Sequence, residues 1–214
     1  MRIPAIPLRI RKGIAVSPDV TFGASVIIPG GNGDYDDIMK KVTDVCGKGS
    51  PVLVIDADGI RKADIFPNVL KRLPAGRETW FMTGIRNAGD MIDAFHGNIG
   101  KLVVPYHLTA DDALIEMSEL SDCLIPALFI DSGGVHIRGR RKRGTADVLR
   151  TLEGMNFSDV AVFDASGGRI DIMYELRGKE NIAVPYINPG TDDGAADASD
   201  RGFAKVIVPY QSVL

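Results

Sequence analysis

The chain has 214 residues, 45% hydrophobic and 25% charged, and a net charge of −3. That balance suits a globular protein with a sizeable core, and it gives no global attraction to nucleic acid or an anionic membrane. The two cysteines, Cys46 and Cys123, lack C-x-x-C spacing and are expected to be buried thiols rather than a disulfide or metal pair.

The N-terminal MRIPAIPLRIRKG lacks the continuous apolar core of a signal peptide, and no stretch approaches the roughly 18 apolar residues of a membrane span. A cytoplasmic protein with no membrane partner is expected. Residues 2–16 hold two short apolar segments, IPAIPL and IAV, around a basic turn of Arg9, Arg11, Lys12 and Gly13. Pro4 and Pro7 cannot donate ladder hydrogen bonds, so this strand is expected to be irregular or unpaired on one side. Residues 17–33 read as a long Gly-rich loop of the kind that is often functional. Apolar residues at 38, 39, 42, 45 and 46 predict a helix over 34–46, stopped by Gly47, Gly49 and Pro51.

VLVI (52–55) reads as a buried strand ending on Asp56. A helix over 63–73, kinked or restarted at Pro67, precedes a strand over 79–82. Asn87 then caps a helix to Phe95, and a strand spans 101–104. Thr109 is expected to cap a helix over 110–117, with Asp111 and Asp112 at its positive end. The second half predicts strands over 124–130, 160–163, 182–186 and 205–208. Its helices are expected over 145–152, 170–176 and near 191–200, the eighth being absent or trimmed.

The chain is a doubled half. VLVIDADGI (52–60) returns as VAVFDASGG (160–168), KLVVPY (101–106) as KVIVPY (205–210), and IPAI (3–6) as IPAL (125–128). Alternating strands and helices predict parallel strands. Eight of them in a twofold repeat favour α/β architecture as one domain, 1–214: a single (β/α)8 TIM barrel of half-barrels about 1–117 and 122–214. A competing open sheet would want a Gly-rich dinucleotide fingerprint after its first strand, and IPAIPLRIRKG is not one.

In order, these segments resemble the histidine-biosynthesis barrels HisA and HisF, a phosphoribosylformimino-AICAR ribotide isomerase and its cyclase relative. IPAIPL is similar to their IPAIDL, VIDADGI to VDLDGA, TGIRNAGDMIDAF to GGIRSLEDAEKLL, IDSGGVHIRG to LDVRGGKVAVKG and VAVFDASGG to VTDIDRDG. The resemblance spans essentially the whole chain. It implies an isomerase- or lyase-type enzyme acting on a small phosphorylated or otherwise anionic metabolite. In that family, aspartates ending strands 1 and 5 serve as acid and base, because opening a sugar ring needs proton delivery and removal on opposite sides. Here Pro7 stands at the first position. Phe129 stands at the second, with Asp131 two residues later on the same strand face. The ancestral reaction is therefore expected to be lost, with proton transfer falling to Asp56, Asp131 and Asp164.

The family grips phosphates with Gly-rich turns at helix starts. Thr83, Gly84, Arg86 and Asn87 after strand 3, and Asn188, Gly190 and Thr191 after strand 7, are the matching anion contacts. Pro105-Tyr106 and Pro209-Tyr210 replace the Gly turns after strands 4 and 8, which narrows or repurposes those sites.

The basic run RGRRKRG (138–144) falls where the family carries a closing loop. Arg138 is its candidate anion contact, against the more usual solvated charge run. Nucleic acid is not expected, since no aromatics interleave the basic residues. His96, His107 and His136 lack ligand spacing, so no metal and no cofactor are expected. Asp56, Asp58, Asp131 and Asp164 each have the plainer option of capping a helix or turn. Two functions remain: a divergent enzyme on an anionic metabolite, and an inactive ligand-binding or regulatory subunit, for which Pro7 argues. A homo-oligomer is compatible with both.

Overall fold

The computed structural model describes residues 1–47, 49–74, 78–97, 99–187 and 194–214. The chain opens with β1 (Arg2–Arg11), β2 (Ile14–Ser17), β3 (Val20–Phe22), β4 (Ser25–Ile28) and β5 (Gly33–Asp34). Next come α1 (Tyr35–Cys46), β6 (Val52–Asp56), α2 (Ala57–Lys62), α3 (Pro67–Leu70) and β7 (Thr79–Met82). The first half ends with α4 (Ala88–Phe95), β8 (Lys101–Pro105) and α5 (Asp111–Leu120). The second half holds β9 (Leu124–Asp131), β10 (Gly134–Ile137), β11 (Arg141–Arg143), α6 (Thr145–Gly154) and β12 (Val160–Asp164). It closes with α7 (Ile172–Glu175), β13 (Ala183–Pro185), α8 (Gly194–Asp200) and β14 (Val206–Pro209).

Local chemistry explains the main boundaries. Lys12 and Gly13 have φ of 48° and 83°, the two positive values that a type I′ turn requires, so β1 folds straight back onto β2. The Asp34 carboxylate accepts the Asp37 N–H at 3.0 Å and starts α1, which buries Ile38, Met39 and Val42.

Parallel ladders run in the order β14, β1, β6, β7, β8, β9, β12, β13. The antiparallel strands β2, β5, β10 and β11 enlarge this into a 12-stranded mixed sheet, while β3 and β4 form a separate hairpin. One face, with Ile6, Leu8, Val54, Phe81, Val104 and Leu128, packs against the helices. The other, with Ile3, Leu53, Trp80, Ile125, Phe129 and Ile207, forms a second core around which the sheet curls. Burial on both faces is why these strands read as unbroken apolar runs.

A single (β/α)8 TIM barrel of two repeats is therefore not what forms. The chain makes a mixed half-barrel sheet rather than a closed eight-fold repeat. Among the described residues β13 and β14 share no ladder, and the chain just after β13 meets β14 at one isolated bridge, Tyr186↔Ile207. Pro185 and Pro209 end those strands and remove donors at that seam. The helical layer is uneven too, since α3 and α7 are single turns and α2 is an additional short helix.

Smaller expectations also change. β1 is continuous, with Pro4 and Pro7 in register with Val208 and Ile55. Residues 17–33 hold the β3–β4 hairpin rather than a plain loop. Thr109 does not cap α5; its hydroxyl donates to Ile85 O at 2.8 Å, and Ala110 takes the cap position. Cys123 is exposed and Cys46 half-buried, and both are free thiols. No helix among the described residues is long and apolar enough to cross a membrane.

Candidate functional site

Asp56 ends β6 fully buried. Its carboxylate accepts the Gly59 N–H at 2.9 Å and the Thr83 hydroxyl at 3.0 Å, which makes it the cap of α2. Burial pushes its pKa up to about 6, outweighing the hydrogen bonds that favour the ionised form. Thr83 also lies within 3.3 Å of Asp64 O, so its hydroxyl has a second acceptor when Asp56 is protonated.

The turn after β7 is engaged by the protein's own groups. A Cβ on Gly84 would collide with the backbone at Asp64 N and Gly59 O, so the turn packs directly on the α2–α3 segment. Arg86 is engaged by Asp90, through Nε at 3.1 Å and its backbone N–H at 2.9 Å. Asn87 accepts the Asp90 N–H at 3.0 Å and caps α4. The Asp90 carboxylate thus fills the place an anion was expected to take. Asn188, Gly190 and Thr191 lie outside the described residues.

Asp131 and Asp164 are also held by the fold. Lys142 Nζ reaches both Asp131 oxygens at 2.7 Å, His136 Nε2 lies at 2.9 Å, and Gly133 N–H donates at 2.8 Å. Burial alone would raise the Asp131 pKa, but these partners outweigh it and hold the group down at about 2. Asp131 therefore staples β9 to the hairpin of β10 and β11. Asp164 accepts from Ser166 N–H at 2.6 Å and Gly168 N–H at 2.7 Å, fixing the turn after β12.

Above the inner core the β3–β4 hairpin acts as a plug, adding Val20, Ile27 and Ile28 to the apolar cluster. Phe22 stacks on Phe129 with centroids 4.8 Å apart and planes 6° apart. His107 and His136 meet the Phe22 ring edge-on, and Phe163 and Tyr186 continue the row. Phe129 thus sits at the centre of an aromatic row near the end of β9. The His107 Nδ1 and the Tyr186 hydroxyl are buried without a hydrogen-bond partner among the described residues. Burial lowers His107 to about 4 and raises Tyr186 well above its ordinary value.

The basic run forms a built element, not a closing loop. β10 and β11 pair antiparallel across a turn in which Gly139 and Arg140 have φ of 80° and 60°. Between this hairpin and the start of α5 lies a cleft of about 550 Å³, lined in part by Tyr106, Asp111, Arg138, Arg141 and Arg143. Arg143 Nη1 donates to Asp111 at 3.1 Å and to the Tyr106 hydroxyl at 3.3 Å, while that hydroxyl donates to Asp111 at 2.5 Å. Burial and the adjacent carboxylate keep Tyr106 protonated. Arg138 and Arg141 have no side-chain partner among the described residues and remain free to bind.

There are two further clefts. One of about 580 Å³ is lined by Asp164, Asp171, Met173, Tyr186 and Asp197, among others, and the other of about 430 Å³ by Arg9, Arg11, Asp58 and Arg61. No group of three or more His, Cys, Asp or Glu among the described residues could hold a metal ion.

Sequence reasoning overlooked Phe22 and Tyr186, and weighed His107 only as a metal ligand. Tyr186 carried a signal, since Val-Pro-Tyr occurs at 184–186 as well as at 104–106 and 208–210. Phe22 carried none, being a lone aromatic in a Gly-rich segment. No protein-family model matches the chain, and no curated protein sequence matches it.

Proposed function

We propose that this protein binds a small phosphorylated or otherwise anionic metabolite in the cleft between the β10–β11 hairpin and α5, without the proton-transfer chemistry of the barrels its segments resemble. One observation carries the reading: Arg138 and Arg141 flank a cleft of about 550 Å³, and neither guanidinium has a side-chain partner among the described residues. Arg143 neutralises Asp111, and the Asp112 carboxylate turns back to accept its neighbour's N–H from Ala113. The two free forks match the geometry of phosphate and carboxylate oxygens. Support for a binding role also comes from the three candidate carboxylates, each tied into a cap, a staple or a turn.

Calorimetric titration with ribose 5-phosphate and glycerol 3-phosphate tests it. Each charge-assisted hydrogen bond is worth about 1.5–3 kcal/mol, so the double variant Arg138→Ala/Arg141→Ala, which removes at least one from each arginine, is expected to bind at least about 150-fold more weakly. Equal affinity in wild type and double variant would overturn the assignment.

A second reading, isomerase- or lyase-type catalysis, is favoured by Asp56 alone. A carboxyl group held near 6 against Thr83 titrates where a general acid works well. It is fully buried as the cap of α2, so substrate reaches it only once that cap opens. Turnover of a sugar phosphate that vanishes in Asp56→Asn would decide for this reading.

A further inference from the structure

We infer that a second anion site, suited to a phosphate dianion, lies between the β1–β2 hairpin and α2, where two guanidiniums meet one carboxylate and a third lines the same cleft. The sequence builds it from two local patterns. Arg9 and Arg11 are two residues apart on β1, opposite Val16 and Ile14, so both side chains leave the same face of the hairpin. Asp58 and Arg61 are three residues apart on α2, which places them side by side.

The geometry then leaves the cations undersatisfied. Arg61 Nη2 donates to Asp58 Oδ1 at 3.0 Å. Arg9 Nε lies 3.1 Å from the same oxygen, yet it is buried and its N–H is not aimed well enough to make a hydrogen bond. Arg11 has no side-chain partner among the described residues. These four residues line a cleft of about 430 Å³. Three positive charges against one negative leave an excess of two.

A phosphate monoester or inorganic phosphate carries about −1.5 to −2 at neutral pH and offers three acceptor oxygens, which matches that excess. A monocarboxylate would leave one cation uncompensated. Backbone N–H groups at the α2 start are not the donors here, because Asp56 already caps that helix.

The site is independent of the cleft that carries Arg138, so the two proposals fail separately. Phosphorus NMR and calorimetry with inorganic phosphate and with glycerol 3-phosphate, at ionic strength matched by chloride, test it. Wild type is expected to show a saturable site that survives in the Arg138→Ala/Arg141→Ala variant. Arg11→Ala should weaken that site at least about tenfold, the scale of one charged hydrogen bond. Its melting temperature in phosphate-free buffer should not fall, because Arg11 has no structural partner to lose. Tighter binding of the ester would identify a phosphorylated metabolite as the occupant, and tighter binding of inorganic phosphate would identify free phosphate. Unchanged affinity in Arg11→Ala, or a phosphate response that chloride reproduces, would overturn the site.

Discussion

Gly84 decides how closely β7 approaches α2. With any side chain there, the new carbon would meet Asp64 N and Gly59 O, both of them backbone atoms that cannot swing aside. Gly84→Ala is therefore expected to destabilise by about 1–3 kcal/mol, the usual scale of overpacking, measured as a lower urea midpoint. An unchanged midpoint would mean that the α2–α3 segment yields freely. The same glycine shows how much of the site was legible in the sequence. Gly84 and Arg86 were rightly placed in a strand-end turn, but a turn that welcomes phosphate and a turn packed on its own chain look alike as TGIRN. Arg86 was more legible, since Asp90 stands four residues on and helical geometry brings such pairs together. Asp131 was beyond reach, because its partners His136 and Lys142 depend on a hairpin hidden in a run of charges.

Among elements, the parallel strands were the legible part, each being a short apolar run ending at a polar residue or a proline. The additions were not. β11 is Arg-Lys-Arg, which reads as a solvated stretch because an edge strand has little apolar surface to bury. The helix expected over 63–73 shrank to α3 because Pro67 begins a new turn instead of continuing an old one. At the opposite end of the sheet the internal repeat has a structural use. Lys101 and Lys205 occupy equivalent places in the repeated KLVVPY and KVIVPY, and both reach Asp159, at 3.4 Å and 2.6 Å. Both ammonium groups also sit 5.9 Å from the centre of the Trp80 ring. Asp159 is 8% exposed, so Asp159→Asn strands two lysines with no compensating charge. Breaking a buried pair costs about 3–5 kcal/mol, and the partial exposure of both lysines reduces the expectation to about 2–3 kcal/mol. Thermal unfolding would check it, with Lys101→Ala expected to lose less because Lys205 keeps the shorter contact.

Over the whole molecule, two buried groups set opposing responses to pH. Asp56 has an ordinary value of 3.8 and a folded value of about 6. The folded chain therefore holds a proton that the unfolded chain has released. Stability from this group is fully present below 3.8 and is lost as pH rises through 6. His107 has an ordinary value of 6.5 and a folded value of about 4. Its stabilisation is present above 6.5 and is lost as pH falls through 4. Between pH 4.5 and 6 each contributes a slope of roughly 1.4 kcal/mol per pH unit, with opposite sign. Asp131, held at about 2, adds its own loss only below this window. Wild-type stability is therefore expected to be nearly flat from pH 4.5 to 6, measured as urea midpoints. Asp56→Asn leaves His107 unopposed, so that variant should weaken steadily on acidification. His107→Gln leaves Asp56 unopposed and should grow more stable over the same range. Parallel pH profiles for wild type and both variants would show that neither group titrates there, and the case for Asp56 as a general acid would fall with them.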